Sequence, residues 1–283
     1  ADGHTIGSAG TLARARTWMT MALLKARNAL QSGRTLVGHW AGCGNPLMAE
    51  TVSATCDYDV FVVDCQHGIL DASDAMAVLA SVRNATPFIR LRDVSPSHIH
   101  HSLDAGALGL IAPLINSAED ARAFVEESMY PPLGRRSFGP ARASLLSPNY
   151  FQEANGLVMC WAMIETAAAL KNVKEIAAVE GIDGLFIGPN DLSLSLGVGP
   201  SSSPNDPRVI ASIEQIRDAA HAAGKAAGIF CGDGAYARAM ADQGFNFVIA
   251  GTDTGLLAAA AARELAIVRG ISGTSAGGSK AGY

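Results

Sequence analysis

Short apolar runs alternate along the chain with amphipathic stretches of helical period. The runs Leu36–Cys43, Val60–Gln66, Pro87–Arg92, Leu108–Ile115, Leu157–Glu165, Gly184–Gly188, Ala226–Cys231 and Phe247–Gly251 predict eight β-strands. Segments such as VFVVDC and GLFIGP are nearly continuous in apolar character, as expected of parallel strands buried on both faces. The stretches between them have readable starts and stops. Asp71, Ser95 before Pro96, and Ser117 stand where helix N-caps belong. Gly106, Gly224 and Gly244 each follow a last apolar position, the usual helix stop. Eight strand–helix units predict an α/β fold, a (β/α)8 TIM barrel over residues 36–271. An extra amphipathic helix near Leu12–Gln31 lies in a helical N-terminal extension, 1–35. A Gly/Ser-rich tail over 272–283 reads as mobile. A doubly wound open sheet is the structural rival, but the turn after the first run reads GCGNP rather than GxGxxG.

Composition changes this picture little. At 283 residues, 49% hydrophobic, the chain suits one large barrel. A net charge of −5 with no basic stripe argues against nucleic acid and an anionic membrane surface as partners. No segment reaches the ~18 uninterrupted apolar residues of a membrane span. The five cysteines, Cys43, Cys56, Cys65, Cys160 and Cys231, form an odd set with no CxxC pair. Four of them sit inside apolar runs and read as packed thiols in a reducing compartment, and the chain start shows no leader pattern, so the expected location is cytoplasmic.

The chemistry concentrates at the C-terminal ends of the predicted strands, where a barrel of this kind builds its active site. The second run ends Asp64-Cys65-Gln66-His67-Gly68, and the third ends Arg90-Leu91-Arg92-Asp93. The fifth ends Glu165-Thr166, and the sixth ends Gly188-Pro189-Asn190-Asp191. Glu165 and Asp191 close adjacent strands with no basic residue nearby in sequence. Two carboxylates facing one cavity repel unless they share a proton or a cation, so they are either a divalent-metal pair or two separate helix caps. His67, three residues after Asp64, is either a base oriented by that carboxylate or a structural histidine. Arg90 lies in an apolar strand and requires an anion there, from the protein or from a substrate. Arg92 and Asp93 read as a local pair.

Other features carry less. His98, His100 and His101 sit on one helix with no acid at a matching position, which favours a solvated face. Arg135, Arg136 and Arg142, in the long loop Tyr130–Pro148, either bind a carboxylate or an adjacent subunit or are ordinary surface charge. Leu192–Asp206 reads as a second long loop. Gly232-Asp233-Gly234 lies where many barrels bind phosphate but lacks a Gly-rich run.

The strings VVDCQHG (62–68), FIRLRD (88–93), LDAGALGLIAPLINSAEDA (103–121), YPPLGRRSFGP (130–140), MIET (163–166) and IGPNDLS (187–193) resemble the HpcH/HpaI class II aldolases, metal-dependent lyases of 2-oxo acids. The similarity runs from about Leu36 to Ile267. It implies that Glu165 and Asp191 hold a divalent cation, Mg²⁺ first, with Mn²⁺ or Co²⁺ as alternatives. It also implies that Arg90 neutralises a growing enolate and binds substrate. His67 would move protons, backed by Asp64 or by a neighbouring subunit's acid at the position of Asp104. Gln66, Gly188, Pro189 and Asn190 would line the substrate carboxylate. Many relatives have Glu in place of Gln66 and Gln in place of Met163. The implied partners are a small 2-oxo acid of the pyruvate or oxaloacetate type and an aldehyde. The implied assembly is a homo-oligomer, a hexamer built as a trimer of dimers, with the segment Leu256–Ile267 suited to exchange. The implied reaction is cleavage or formation of a 4-hydroxy-2-oxo acid through a pyruvate enolate. An oxaloacetate decarboxylase of macrophomate-synthase type and a catalytically silent paralogue are the alternatives.

Overall fold

A computed structural model describes residues 24–68 and 70–271. Its centre is a closed parallel barrel in which each strand pairs with the next and the last with the first. The strands are β1 (Leu36–Ala41), β2 (Val60–Asp64), β3 (Thr86–Arg90), β4 (Gly109–Ala112), β5 (Met159–Ile164), β6 (Gly184–Ile187), β7 (Ala226–Ile229) and β8 (Phe247–Thr252). All eight predicted runs become strands. Several end earlier than their apolar run, so the polar residues that follow project from the mouth instead of continuing the ladder. Leu157, assigned above to the fifth run, closes a helix.

The helices that clothe the barrel are α1 (Pro46–Thr55), α2 (Ala72–Ser81), α3 (Pro96–Asp104), α4 (Ala118–Ser128), α5 (Tyr150–Leu157), α6 (Ala167–Lys171), α7 (Val173–Ala177), α8 (Pro189–Ser195), α9 (Pro207–Ala222), α10 (Gly234–Asp242) and α11 (Asp253–Val268). The three predicted caps act as caps. Asp71, Ser95 and Ser117 accept backbone N–H groups in the first turns of α2, α3 and α4. Gly106, Gly224 and Gly244 follow their helices at φ of 99°, 69° and 93°, the left-handed region that costs glycine least. Residues 24–31 are helical, in line with the predicted extra helix. The rest of that helix and the 272–283 tail lie outside the described residues.

Side chains with strand period two divide into an inward and an outward set. The inward set, including Leu36, Trp40, Val62, Phe88, Trp161, Phe186 and Phe247, fills the barrel. Large rings fit because glycine faces them. A Cβ on Gly109 would fall 2.3 Å from the Phe88 ring, and one on Gly184 would fall 2.4 Å from the Trp161 ring. The outward set packs under the helices, among them Phe61, Ile89, Ile164 and Ile229.

Of the two long stretches, one is a loop as read and the other is not. Leu192–Asp206 opens inside α8 rather than as loop. Tyr130–Pro148 leaves α4 and leads towards β5, so it lies at the end of the barrel opposite the mouth. Asp233 caps α10 by accepting the Tyr236 N–H at 2.8 Å.

Candidate active site

The inward parity of the strands continues past their ends and places the charged residues at one mouth. On β2 it gives Val60, Val62 and Asp64; on β3, Phe88 and Arg90. Asp64 and Arg90 are register partners on neighbouring strands and both are buried. The Arg90 guanidinium grips the carboxylate with two nitrogens, Nε to Oδ1 at 2.8 Å and a terminal nitrogen to Oδ2 at 2.5 Å. This is the planar fork geometry that arginine matches best. Asp64 thus supplies the anion that Arg90 requires. Asp64 also accepts the Trp40 indole N–H at 3.2 Å and the backbone N–H groups of Gln66 and His67 at 3.0 and 3.3 Å. Burial pushes the Asp64 carboxyl up, but Arg90 and these donors outweigh it and hold it below the usual carboxylate range. The Arg90 guanidinium carbon lies 4.9 Å from the Trp40 ring centroid, which adds a cation–π contact.

The other side of the mouth is built differently. Glu165 continues the inward row of Met159, Trp161 and Met163 one step past β5 and is 1% exposed. Its Oε1 accepts the Leu114 N–H at 2.8 Å. Its Oε2 is buried with no hydrogen-bond donor among the described residues. Burial, reinforced by the charge of Asp191, pushes the Glu165 carboxyl up to about 7, against the smaller pull of the Leu114 amide and Arg90. Asp191 stands in the first turn of α8 and is half-buried. Gly188, at the N-cap of α8, keeps the space in front of Glu165 open. A Cβ there would fall 2.7 Å from Glu165 Oε2 and 2.7 Å from Met163 Cε.

An orphaned carboxylate oxygen, a second acid that raises its pKa and a cleared space before it fit a divalent cation. Among the described residues, no group of three or more His, Cys, Asp or Glu side chains is arranged to hold a metal. Two carboxylates with the remaining positions left to water and substrate is how Mg²⁺ is commonly bound.

The mouth brings together Asp64, Gln66, His67, Arg90, Glu165, Gly188, Pro189, Asn190 and Asp191. His67 is exposed at its rim, and Gln66 is half-buried with its Oε1 lacking a donor among the described residues. Asp104 is not part of this mouth. It ends α3 at the opposite end of the barrel, where Arg136 donates to it at 2.8 Å from beneath the rings of Tyr130 and Tyr150. Arg92 and Asp93 do not pair as read above. Arg92 donates to the Leu70 carbonyl, and Asp93 bonds His98 Nδ1 at 2.7 Å. His98 therefore has an acid that helical spacing alone did not reveal.

Two contributors escape the sequence reading. Trp40 could have been found by continuing the inward parity of β1 from Leu36 and Gly38. Leu114 carries no signal. Its φ of 55° is unusual for a branched residue and costs roughly 1–2 kcal/mol, yet it aims the N–H at Glu165. Asn116 secures that turn by donating its side-chain amide to the Leu114 carbonyl at 2.8 Å.

Comparison with known proteins places this geometry. The profile of the HpcH/HpaI aldolase/citrate lyase family matches residues 36–260. A hydroxypyruvate/pyruvate aldolase of Rhizorhabdus wittichii is 42% identical, covering 87% of this chain and 99% of that protein. A 2-keto-3-deoxy-L-rhamnonate aldolase of Salmonella gallinarum is 38% identical, covering 88% and 94%. The crystal structure of an HpcH/HpaI aldolase/citrate lyase family protein of Burkholderia cenocepacia superposes with a TM-score of 0.80 at 31% identity, covering 88% and 99%. The chain belongs to the HpcH/HpaI aldolase/citrate lyase family, and its chemistry is that of an aldolase.

Proposed function

We propose that this aldolase is divalent-metal-dependent and cleaves a 4-hydroxy-2-oxo acid to pyruvate, or a close 2-oxo acid, and an aldehyde, with the reverse addition at the same site. The observation that carries this reading is Glu165 Oε2, which has no donor among the described residues, beside Asp191 in a mouth whose other wall presents a fixed guanidinium. Glu165 and Asp191 would hold the cation, Mg²⁺ or, failing that, Mn²⁺ or Co²⁺. A bound divalent cation polarises the carboxylate and keto oxygens of a 2-oxo acid and favours loss of a proton or a carbon electrophile next to the carbonyl.

The chain's own residues supply the rest. Arg90 offers positive charge to the oxygen that becomes an enolate. Its fork on Asp64 and its stacking on Trp40 set its orientation before substrate arrives, so stabilisation requires little reorganisation. His67, at the rim with its backbone tied to Asp64, is placed to pass protons to and from solvent. Gly188, Pro189 and Asn190 open the first turn of α8, where the absence of a Cβ at position 188 leaves room for the substrate carboxylate. Gln66, two residues past the end of β2, would add a polar group to the same mouth.

The proposal extends to assembly. In α11 the only buried residues are Asp253 and Ala266, while Leu257 and Ile267 are 64% and 66% exposed. Beside it, Val37, Ala237, Ala241 and Val248 line a groove of about 440 Å³ over β1, β8 and α10, where the last helix of a self-contained barrel would lie. Exchange of α11 between two copies would cover both surfaces, and a hexamer would let Asp104 of one copy serve another's mouth. Leu257→Lys is expected to shift the chain to smaller species in light scattering. An unchanged mass would remove α11 from the interface.

The test of the activity is loss of the pyruvate methyl proton signal in D₂O, followed by NMR with Mg²⁺ or Mn²⁺ and then with EDTA. Exchange that needs the cation is expected. Full exchange after EDTA, or none with any divalent cation in the folded protein, would contradict the mechanism.

A further inference from the structure

The sheet that separates the mouth from the helix layer has a second cavity on its outer face. Asp64 and Arg90 point to the barrel axis, so Cys65, the residue after β2, and Ile89, on β3, point outward between the first turns of α2 and α3. There a cavity of about 260 Å³ opens to solvent, just below the usual size range of small-molecule sites. Its floor is apolar, formed by Leu70, Ala75 and Ile89, each 5% exposed or less. Its rim carries Asp71, Arg92, His98 and His101.

The acid in the lining, Asp71, and the nearby Asp93 are each turned to donors within the protein. Asp71 takes the Ser73 and Asp74 N–H groups as the cap of α2. Asp93 takes the Ser95 N–H and the His98 ring. Arg92 donates one nitrogen to the Leu70 carbonyl at 2.9 Å, and among the described residues no carboxylate forms an ion pair with it. The result is an apolar pit edged by a guanidinium and a nearby imidazole, His101, whose ring lies 3.5 Å from the Ser97 hydroxyl.

We propose that this cavity is a binding site for a small monocarboxylate with an apolar body, such as an aromatic or short branched acid. The body rests on Leu70, Ala75 and Ile89, and the carboxylate meets Arg92 and His101. Guanidinium recognition of a carboxylate supplies orientation, and the pit supplies the hydrophobic contact. The site is separate from the mouth but adjoins it through the chain. Cys65 and Leu70, both in its wall, bracket the segment that carries Gln66 and His67. Leu70 is itself clamped from the far side by Gly44, where a Cβ would collide with its Cδ2.

Benzoate is the probe, titrated against the full chain by saturation-transfer NMR. Saturable binding is expected in the wild type and in Glu165→Gln. Binding at least tenfold weaker is expected in Arg92→Ala, which removes an exposed side chain, and in Ala75→Phe, which fills the pit. Thermal melts show that each variant is folded, and Arg92→Ala decides alone if Ala75→Phe is not. No saturable binding to the wild type, or wild-type affinity in Arg92→Ala, would overturn the proposal. Loss of binding in Glu165→Gln would place benzoate in the mouth and overturn it equally.

Discussion

The two walls of the mouth each bury a carboxylate at a strand end, and they treat it in opposite ways. On the β2–β3 side, Asp64 is fully matched. It has a bidentate guanidinium, an indole and two amides, and its pKa lies below the ordinary range. On the β5–β6 side, Glu165 has a single amide on one oxygen and, among the described residues, no donor on the other, and burial lifts it to about 7. Ionising an unmatched buried acid is costly unless an opposite charge arrives. The protein carries its own cation for one wall, and under the proposed function the second wall takes its cation from solution. The complete wall is then an electrostatic fixture, and the incomplete wall is the proposed receptor.

That contrast yields graded expectations. The largest concerns the receptor wall. Glu165→Gln keeps the shape but removes the charge, and pyruvate methyl exchange should fall by at least about 10³-fold, roughly 4 kcal/mol of barrier, in the NMR assay. Wild-type exchange in this variant would erase the distinction between the walls.

The fixture wall should respond first in stability. Arg90→Met leaves Asp64 buried without its cation and is expected to cost about 3–5 kcal/mol in urea unfolding. Arg90→Lys keeps the charge but loses the fork, and kcat should drop at least about tenfold, near 1.4 kcal/mol of barrier. A stable, fully active Arg90→Met would show that the fork does nothing.

The smallest effect is the pH response of the metal-free protein. Glu165 binds its proton more tightly folded than unfolded, so its contribution to stability is complete below its ordinary value of 4.5 and is lost as pH rises through about 7. Asp64 runs the other way, contributing above its ordinary value of 3.8 and losing that contribution as pH falls through its lowered folded value. Thermal melts in EDTA should therefore decline between pH 5 and pH 8 at Glu165's expense. Mn²⁺ should recover the difference mostly at the upper end. A Glu165→Gln variant should flatten the decline.

Much of this was legible in the sequence, for definite reasons. The barrel follows from eight apolar runs separated by capped helices, since Asp71, Ser95, Ser117 and the three stop glycines act locally and need no tertiary context. The Glu165–Asp191 pair, Arg90 and His67 were readable because strand ends expose alternate positions to one mouth. What stayed hidden depends on distant contacts. The Asp64–Arg90 fork is a register match between strands 26 residues apart. Arg92's turn to the Leu70 carbonyl and His98's bond to Asp93 are decided by loop geometry. The place of Asp104 at the far end of the barrel follows from which helix terminus it occupies. Leu114's left-handed turn has no counterpart in residue preference at all.

The most direct test of the difference between the walls is Mn²⁺ binding, counted by electron paramagnetic resonance at pH 8 in the wild type, Glu165→Gln and Arg90→Lys. One site per chain in the wild type and in Arg90→Lys, lost in Glu165→Gln, is the expected result. Undiminished binding in Glu165→Gln would mean that the orphaned oxygen is not the receptor, and the account of this mouth would fail.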